Sequence, residues 1–156
     1  MNWIISKTKI KFHTLLHEIL KPIWQDLADY DWILTDLDFM SDEKIPIDFD
    51  HDYFVLNSQQ FEEVYQSDTQ IIWGIISAVP KNTALDLKII SRLSAEDENA
   101  WKPDQFLIQQ SIVEIIALDS SYTIAKFKDE KLSEKFKEYF KKEAIELEKF
   151  TQKYIK

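Results

Sequence analysis

A chain of 156 residues, 45% apolar and 30% charged, has the make-up of a single folded domain over 1–156 with enough apolar material for a core. It contains no Cys, which excludes disulfides, thiolate nucleophiles and Cys-ligated zinc or iron–sulfur centres, and one Gly, Gly74, too few for a dinucleotide fingerprint, a P-loop or a kinase Gly-rich loop. A single Arg (Arg92) beside 18 Lys, with a net charge of −9, argues against nucleic acid as a partner.

Residues 2–6 (NWIIS) read as a short strand or an N-terminal anchor. From Lys9 to Asp29 the pattern is helical: Ile10, His13, His17, Leu20, Trp24 and Leu27 fall at three- and four-residue steps, and Pro22 is expected to kink or end the helix. Residues 30–39 alternate as a strand, with Trp32, Leu34, Asp36 and Asp38 on one face and Ile33, Thr35, Leu37 and Phe39 on the other. An acidic loop, SDEKIPIDFDHD, leads to a short strand at 53–56 and a helix to about Gln66 capped by Asn57 or Ser58. Residues 69–79 are apolar on both faces, the signature of a central strand, and Pro80 ends it.

A further strand is expected at 84–91, then a polar loop over 92–104. Residues 111–118 and 121–128 read as a hairpin turning through Asp119 and Ser120. From Asp129 onward one long helix is expected, with Leu132, Phe136, Tyr139, Phe140, Leu147, Phe150 and Tyr154 as its apolar stripe. The element order predicts an α+β fold: a mostly antiparallel sheet with the N-terminal and long C-terminal helices packed on one face. No apolar run has signal-peptide length, and Ile71 to Val79 falls short of the ~20 residues a bilayer needs. No membrane association and a cytoplasmic location are the expectation.

Charge is unevenly distributed. Residues 1–25 carry +3, residues 26–70 carry −12, residues 71–120 carry −3 and residues 121–156 carry +3. Carboxylates interspersed with aromatic rings suit a surface that steers and anchors an oppositely charged partner. The candidate partner-binding residues are Trp32, Asp36, Asp38, Asp48, Asp50, Asp52, Tyr53, Glu62 and Glu63, and the bland alternative is a solvated acidic face.

Other chemistries are weaker. Asp48, Asp50 and Asp52 alternate like the first ligands of a calcium loop, but Tyr53 stands where an EF-hand needs Gly and Gln59 where it needs Glu. Only a looser divalent-cation site stays open. His13 and His17 share a helical face without the intervening Glu of a metalloprotease, and read as structural. Asp36 and Asp38 would stand roughly 7 Å apart on one strand face, within the range of inverting glycosidases. Asp119-Ser120-Ser121 lacks a nucleophile elbow and reads as a turn.

The stretches IIWGIISAVP (71–80) and IVEIIALDSSYTIAKFKD (112–129) resemble small uncharacterised bacterial proteins, including immunity proteins encoded beside polymorphic or contact-dependent toxins. The resemblance implies a cytosolic inhibitor that masks a toxin's active site, and it carries over no specific residue. The leading expectation is therefore a non-catalytic domain, without a cofactor, that neutralises a basic protein such as a nuclease-like toxin. The alternatives are a small metal- or ligand-binding domain or enzyme using residues 36–52, and an oligomeric structural or regulatory protein.

Overall fold

The computed structural model describes residues 1–6, 14–119 and 121–154. The described residues form seven strands: β1 (Asn2–Ser6), β2 (Tyr30–Met40), β3 (Tyr53–Leu56), β4 (Gln70–Pro80), β5 (Val113–Leu118), β6 (Tyr122–Phe127) and β7 (Ile145–Glu146). They make one sheet in the order β3-β2-β4-β5-β6-β1-β7, and every neighbouring pair is antiparallel. The α+β class and the antiparallel sheet match expectation, and the apolar β4 and β5 lie inside it. β5 and β6 form the expected hairpin; Asp119 enters its turn at φ 51°, while Ser120 lies outside the described residues.

Side chains on the two sides of the sheet feed two separate cores. Trp32, Leu34, Ile76, Ala78, Ile115 and Phe127 fill the first, under α1 (Leu16–Leu20), a 3-10 turn at Trp24–Leu27, α2 (Ser58–Gln66) and α4 (Glu130–Phe140). Ile33, Ile75, Val79, Ile116 and Ile124 fill the second, against buried Ile90, Ala95, Ala100 and Ile108, with α3 (Leu87–Ile90) in that segment, and against Leu147 and Phe150 of α5 (Leu147–Tyr154). The expectation of a sheet covered on one face is thus corrected. Strands with no polar side cannot leave either face to water.

Two helical expectations and one strand expectation change with it. The long C-terminal helix is broken: α4 ends at Phe140, Lys141 takes φ 53°, and a 3-10 turn and β7 intervene before α5. The break divides the apolar stripe, sending Leu132, Phe136 and Phe140 to the first core and Leu147 and Phe150 to the second. One straight helix reaches only one side of a sheet; this chain rounds the edge where β7 pairs with Trp3 and Ile4. Lys137 Nζ donates to the carbonyls of Lys141 and Ala144 across the break, at 2.6 and 2.7 Å. The strand expected at 84–91 is instead the short helix α3, because the Asp86 side chain caps the amides of Lys88 and Ile89. The N-terminal helix is reduced to α1 and the 3-10 turn, parted at Lys21–Ile23 around Pro22, and the portion over 9–13 lies outside the described residues.

β2 also departs from simple alternation. Thr35 pairs with Ile75 and Asp38 with Trp73, so Asp36 and Leu37 both stand opposite Gly74 in a bulge, with Asp36 at φ 54°. Past this point the parity flips, and Leu37 and Phe39, not the even-numbered residues, continue the first core. Gly74 sits at φ 150°, and a Cβ there would lie 2.6 Å from Leu37 Cδ2. Gly74→Ala should therefore lose about 1–3 kcal/mol in urea unfolding, and an unchanged midpoint would mean the bulge is not held at this residue.

Candidate functional site

Between residues 38 and 68 the chain carries nine carboxylates (Asp38, Asp42, Glu43, Asp48, Asp50, Asp52, Glu62, Glu63 and Asp68), one Lys, Lys44, and His51. All nine are exposed. They lie on the end of β2, the 41–52 loop, the wet face of α2 and the approach to β4, all at the β3 side of the sheet. Among the described residues the only ion pair within this set joins Asp48 to His51. Charge of this density within one stretch of sequence projects a negative field.

The 41–52 loop is anchored. Ile47 is buried in the first core and Ile45 packs against it. At one end Glu43 Oε2 accepts the Asp68 amide at 2.6 Å, and Thr69 Oγ1 donates to Ser41 Oγ at 2.9 Å. At the other, Thr35 Oγ1 donates to the Asp52 carbonyl at 3.3 Å and to the Ile90 carbonyl at 2.9 Å. In the middle, Asp48 Oδ1 accepts the Asp50 amide at 2.9 Å and meets His51 Nδ1 at 2.8 Å. Phe49 stacks on Phe39 with ring centroids 4.5 Å apart, yet stays 69% exposed. A rigid ring flanked by carboxylates on a tied loop has the form of an interface anchor.

The Asp48 carboxylate raises the His51 pKa above its ordinary 6.5, first by hydrogen bond and then by charge, and Asp50 and Asp52 add to the shift. Asp48 is lowered in turn by the His51 hydrogen bond and then by the Asp50 amide. Because the folded-state value of His51 is raised, its pairing is complete below pH 6.5 and is lost as pH rises through the raised value. The loop therefore gains a negative charge on going from mildly acidic to mildly basic pH. An NMR titration should place the His51 midpoint above 6.5 and Asp48→Asn should return it toward 6.5; a midpoint unmoved by that substitution contradicts the pairing.

The residues singled out from sequence meet different fates. Asp48, Asp50, Asp52, Glu62 and Glu63 are exposed and belong to the acidic surface, while Tyr53 is half-buried against the second core. Trp32 requires correction. It is fully buried, stacked on Phe61 with centroids 3.8 Å apart and planes 8° from parallel, so its ring serves the core. Asp36 is also structural: its Oδ2 accepts Trp73 Nε1 and the Ala95 amide, each at 2.9 Å, tying the 84–112 segment to β2. The bulge separates it from exposed Asp38, so the two do not form a facing carboxylate pair. His13 lies outside the described residues, and the His17 ring packs 4.9 Å from Tyr65.

Features not singled out include Phe49, Met40 (63% exposed), Asp42, Glu43 and Asp68. Phe49 was legible only as one of the aromatic rings interspersed with the acids. Met40 and Leu15 line a groove of about 500 Å³ together with Asp42, Glu43 and Asp68. Among the described residues no three His, Asp or Glu side chains converge to hold a metal ion, and no helix is long and apolar enough to cross a membrane. Comparison with protein-family models, curated proteins and solved structures finds no match to this chain.

Proposed function

We propose that this protein is a binding domain that captures and neutralises a basic protein through the acidic surface of residues 38–68, in the manner of a cytoplasmic immunity or inhibitor protein. One observation carries this reading: nine exposed carboxylates accompanied by a single Lys, held on an anchored loop and helix around the exposed Phe49 ring. Such a surface accelerates encounter with a basic partner by long-range attraction, while the ring and the groove beside Met40 supply short-range contacts. Occlusion of the partner's own anion-binding site by these carboxylates is the simplest route to inhibition.

The test is a tagged pull-down from the native host at low and high salt, followed by association kinetics on whatever is retained. One stoichiometric basic protein, released by salt, is the expected result. Its association should slow severalfold in the Asp48→Asn/Asp50→Asn/Asp52→Asn variant and lose part of its salt dependence. An association rate that ignores both ionic strength and the triple substitution rejects the proposal.

A further inference from the structure

β3 is the edge of the sheet. Tyr53–Leu56 pairs with Trp32–Thr35 of β2, and no strand lies on its other side among the described residues. Nor, beyond the β2 ladder, does the backbone of 53–56 hydrogen-bond to any other backbone group among them. Edges of this kind are normally guarded by Pro, by Lys within the strand, by a bulge or by a covering element. The YFVL sequence has neither Pro nor Lys, its register with β2 is unbroken, and Val55 is 44% exposed. The opposite edge, β7, is only two residues long and offers little ladder to extend.

What surrounds β3 is negative charge. Asp48, Asp50 and Asp52 lead directly into it, and Glu62 and Glu63 stand on α2, which begins at Ser58 just after the strand ends. A second copy of this chain would bring the same carboxylates to the edge and be repelled. An extended segment carrying Lys or Arg would be attracted. We infer that β3 accepts an extended, Lys- or Arg-rich segment of the partner as an added strand. Backbone pairing then supplies contact along 53–56 while the flanking carboxylates select for positive charge. This rests on the acidic-surface reading and adds to it the mode of capture.

The probe is a ten-residue synthetic peptide alternating Lys with Thr and Val, beside a counterpart with Glu in place of Lys. Hydrogen exchange by NMR is the readout. The Lys peptide should bind and slow the outward-facing amides within 53–56 at least tenfold, and the Glu peptide should leave them unchanged. Val55→Lys, at an exposed position, should weaken the Lys peptide at least tenfold. Gln59→Lys, which adds the same charge on the exposed face of α2, should weaken it less than threefold, with both variants melting near the parent. If the Lys peptide binds in a salt-dependent way without protecting 53–56, or the two variants weaken it equally, strand addition is wrong while the acidic surface survives. Absence of any binding also overturns it, leaving the pull-down to judge the wider proposal. Protection of 53–56 on concentrating the protein alone would assign the edge to a second copy and reject the inference.

Discussion

Replacing Glu114 with Ala should lower the unfolding free energy by about 3–5 kcal/mol, because it leaves several buried hydrogen-bond donors without an acceptor. Glu114 and Lys126 are both fully buried and directly opposite each other on β5 and β6. Glu114 accepts four hydrogen bonds: from the amides of Leu107 and Ile108 at 2.8 and 2.9 Å, and from the hydroxyls of Ser77 and Ser111 at 3.0 and 3.1 Å. Lys126 Nζ donates to the carbonyls of Asn99, Lys102 and Gln105. In the same row of the sheet, Asn2 Nδ2 donates to Asp104 Oδ1 at 3.0 Å. A polar row running Ser77–Glu114–Lys126–Asn2 across four strands thus stitches the irregular 97–111 segment to the second face.

Truncating Glu114 strands two backbone amides and two hydroxyls and removes the largest of the carboxylate charges, beside Asp104 and Asp97, that act on Lys126. Urea unfolding gives the magnitude. Hydrogen exchange should show the loss first in 97–111, and a loss under about 1 kcal/mol would mean that water replaces the carboxylate freely. Burial raises the Glu114 pKa above its ordinary value and lowers Lys126 from 10.5 to about 8. For Lys126 the sign follows directly. The native state gives up its proton more readily than the unfolded chain, so stability from this group rises as pH climbs from about 8 to 10.5. Lys126→Met should flatten that window, and an unaltered slope would show that Lys126 does not titrate there.

Trp32→Ala should cost about 3–5 kcal/mol, the range for deleting a large aromatic side chain from a core. Its ring stacks on Phe61 and lies 6.4 Å from Trp24, which itself stacks on Tyr65 at 3.8 Å, so one truncation loosens β2, the 3-10 turn and α2 together. Trp32→Phe is the informative partner. The buried Nε1–H finds no hydrogen-bond acceptor among the described residues, and Phe removes that unpaired donor while keeping an apolar ring. It should stay within about 1 kcal/mol of the parent and leave partner binding intact. Binding lost in a stable Trp32→Phe protein would return this residue to the interface.

The same residue shows how far sequence reaches into the site. Alternation over 30–35 placed Trp32 and Leu34 on one face correctly, because the sheet there is regular and period two is a property of the strand itself. It could not tell which face was buried, and here both are. Extending the alternation to Asp36 and Asp38 failed at the bulge, whose cause is Gly74 on the neighbouring strand and Trp73 and Ala95 beyond it. The acids of the 41–52 loop and α2 were readable because ten Asp and three Glu between 26 and 70 exceed what any interior can hold. That Phe49 stays outside while Ile47 turns in depends on the first core beneath them.

By itself, then, the sequence determined the positions of β2 to β6 to within a few residues, the hairpin of β5 and β6, the antiparallel α+β class, the absence of thiol and Gly-loop chemistry, and the concentration of charge in one stretch, but not β7 or the helix at 87–90. These follow from composition and from periodicities confined to a few neighbouring residues. Tertiary structure decided the order that leaves β3 at an edge, the covering of both faces, the break at Lys141 that shares one apolar stripe between two cores, and the burial of Glu114 and Lys126. Each of those depends on groups far apart in the sequence, such as Lys126 against Asn99 to Gln105, or Trp3 Nε1 on the Ser133 hydroxyl. Local patterning offers a side chain to a face, and the partners that distant segments bring there settle whether that face is core, edge or solvent.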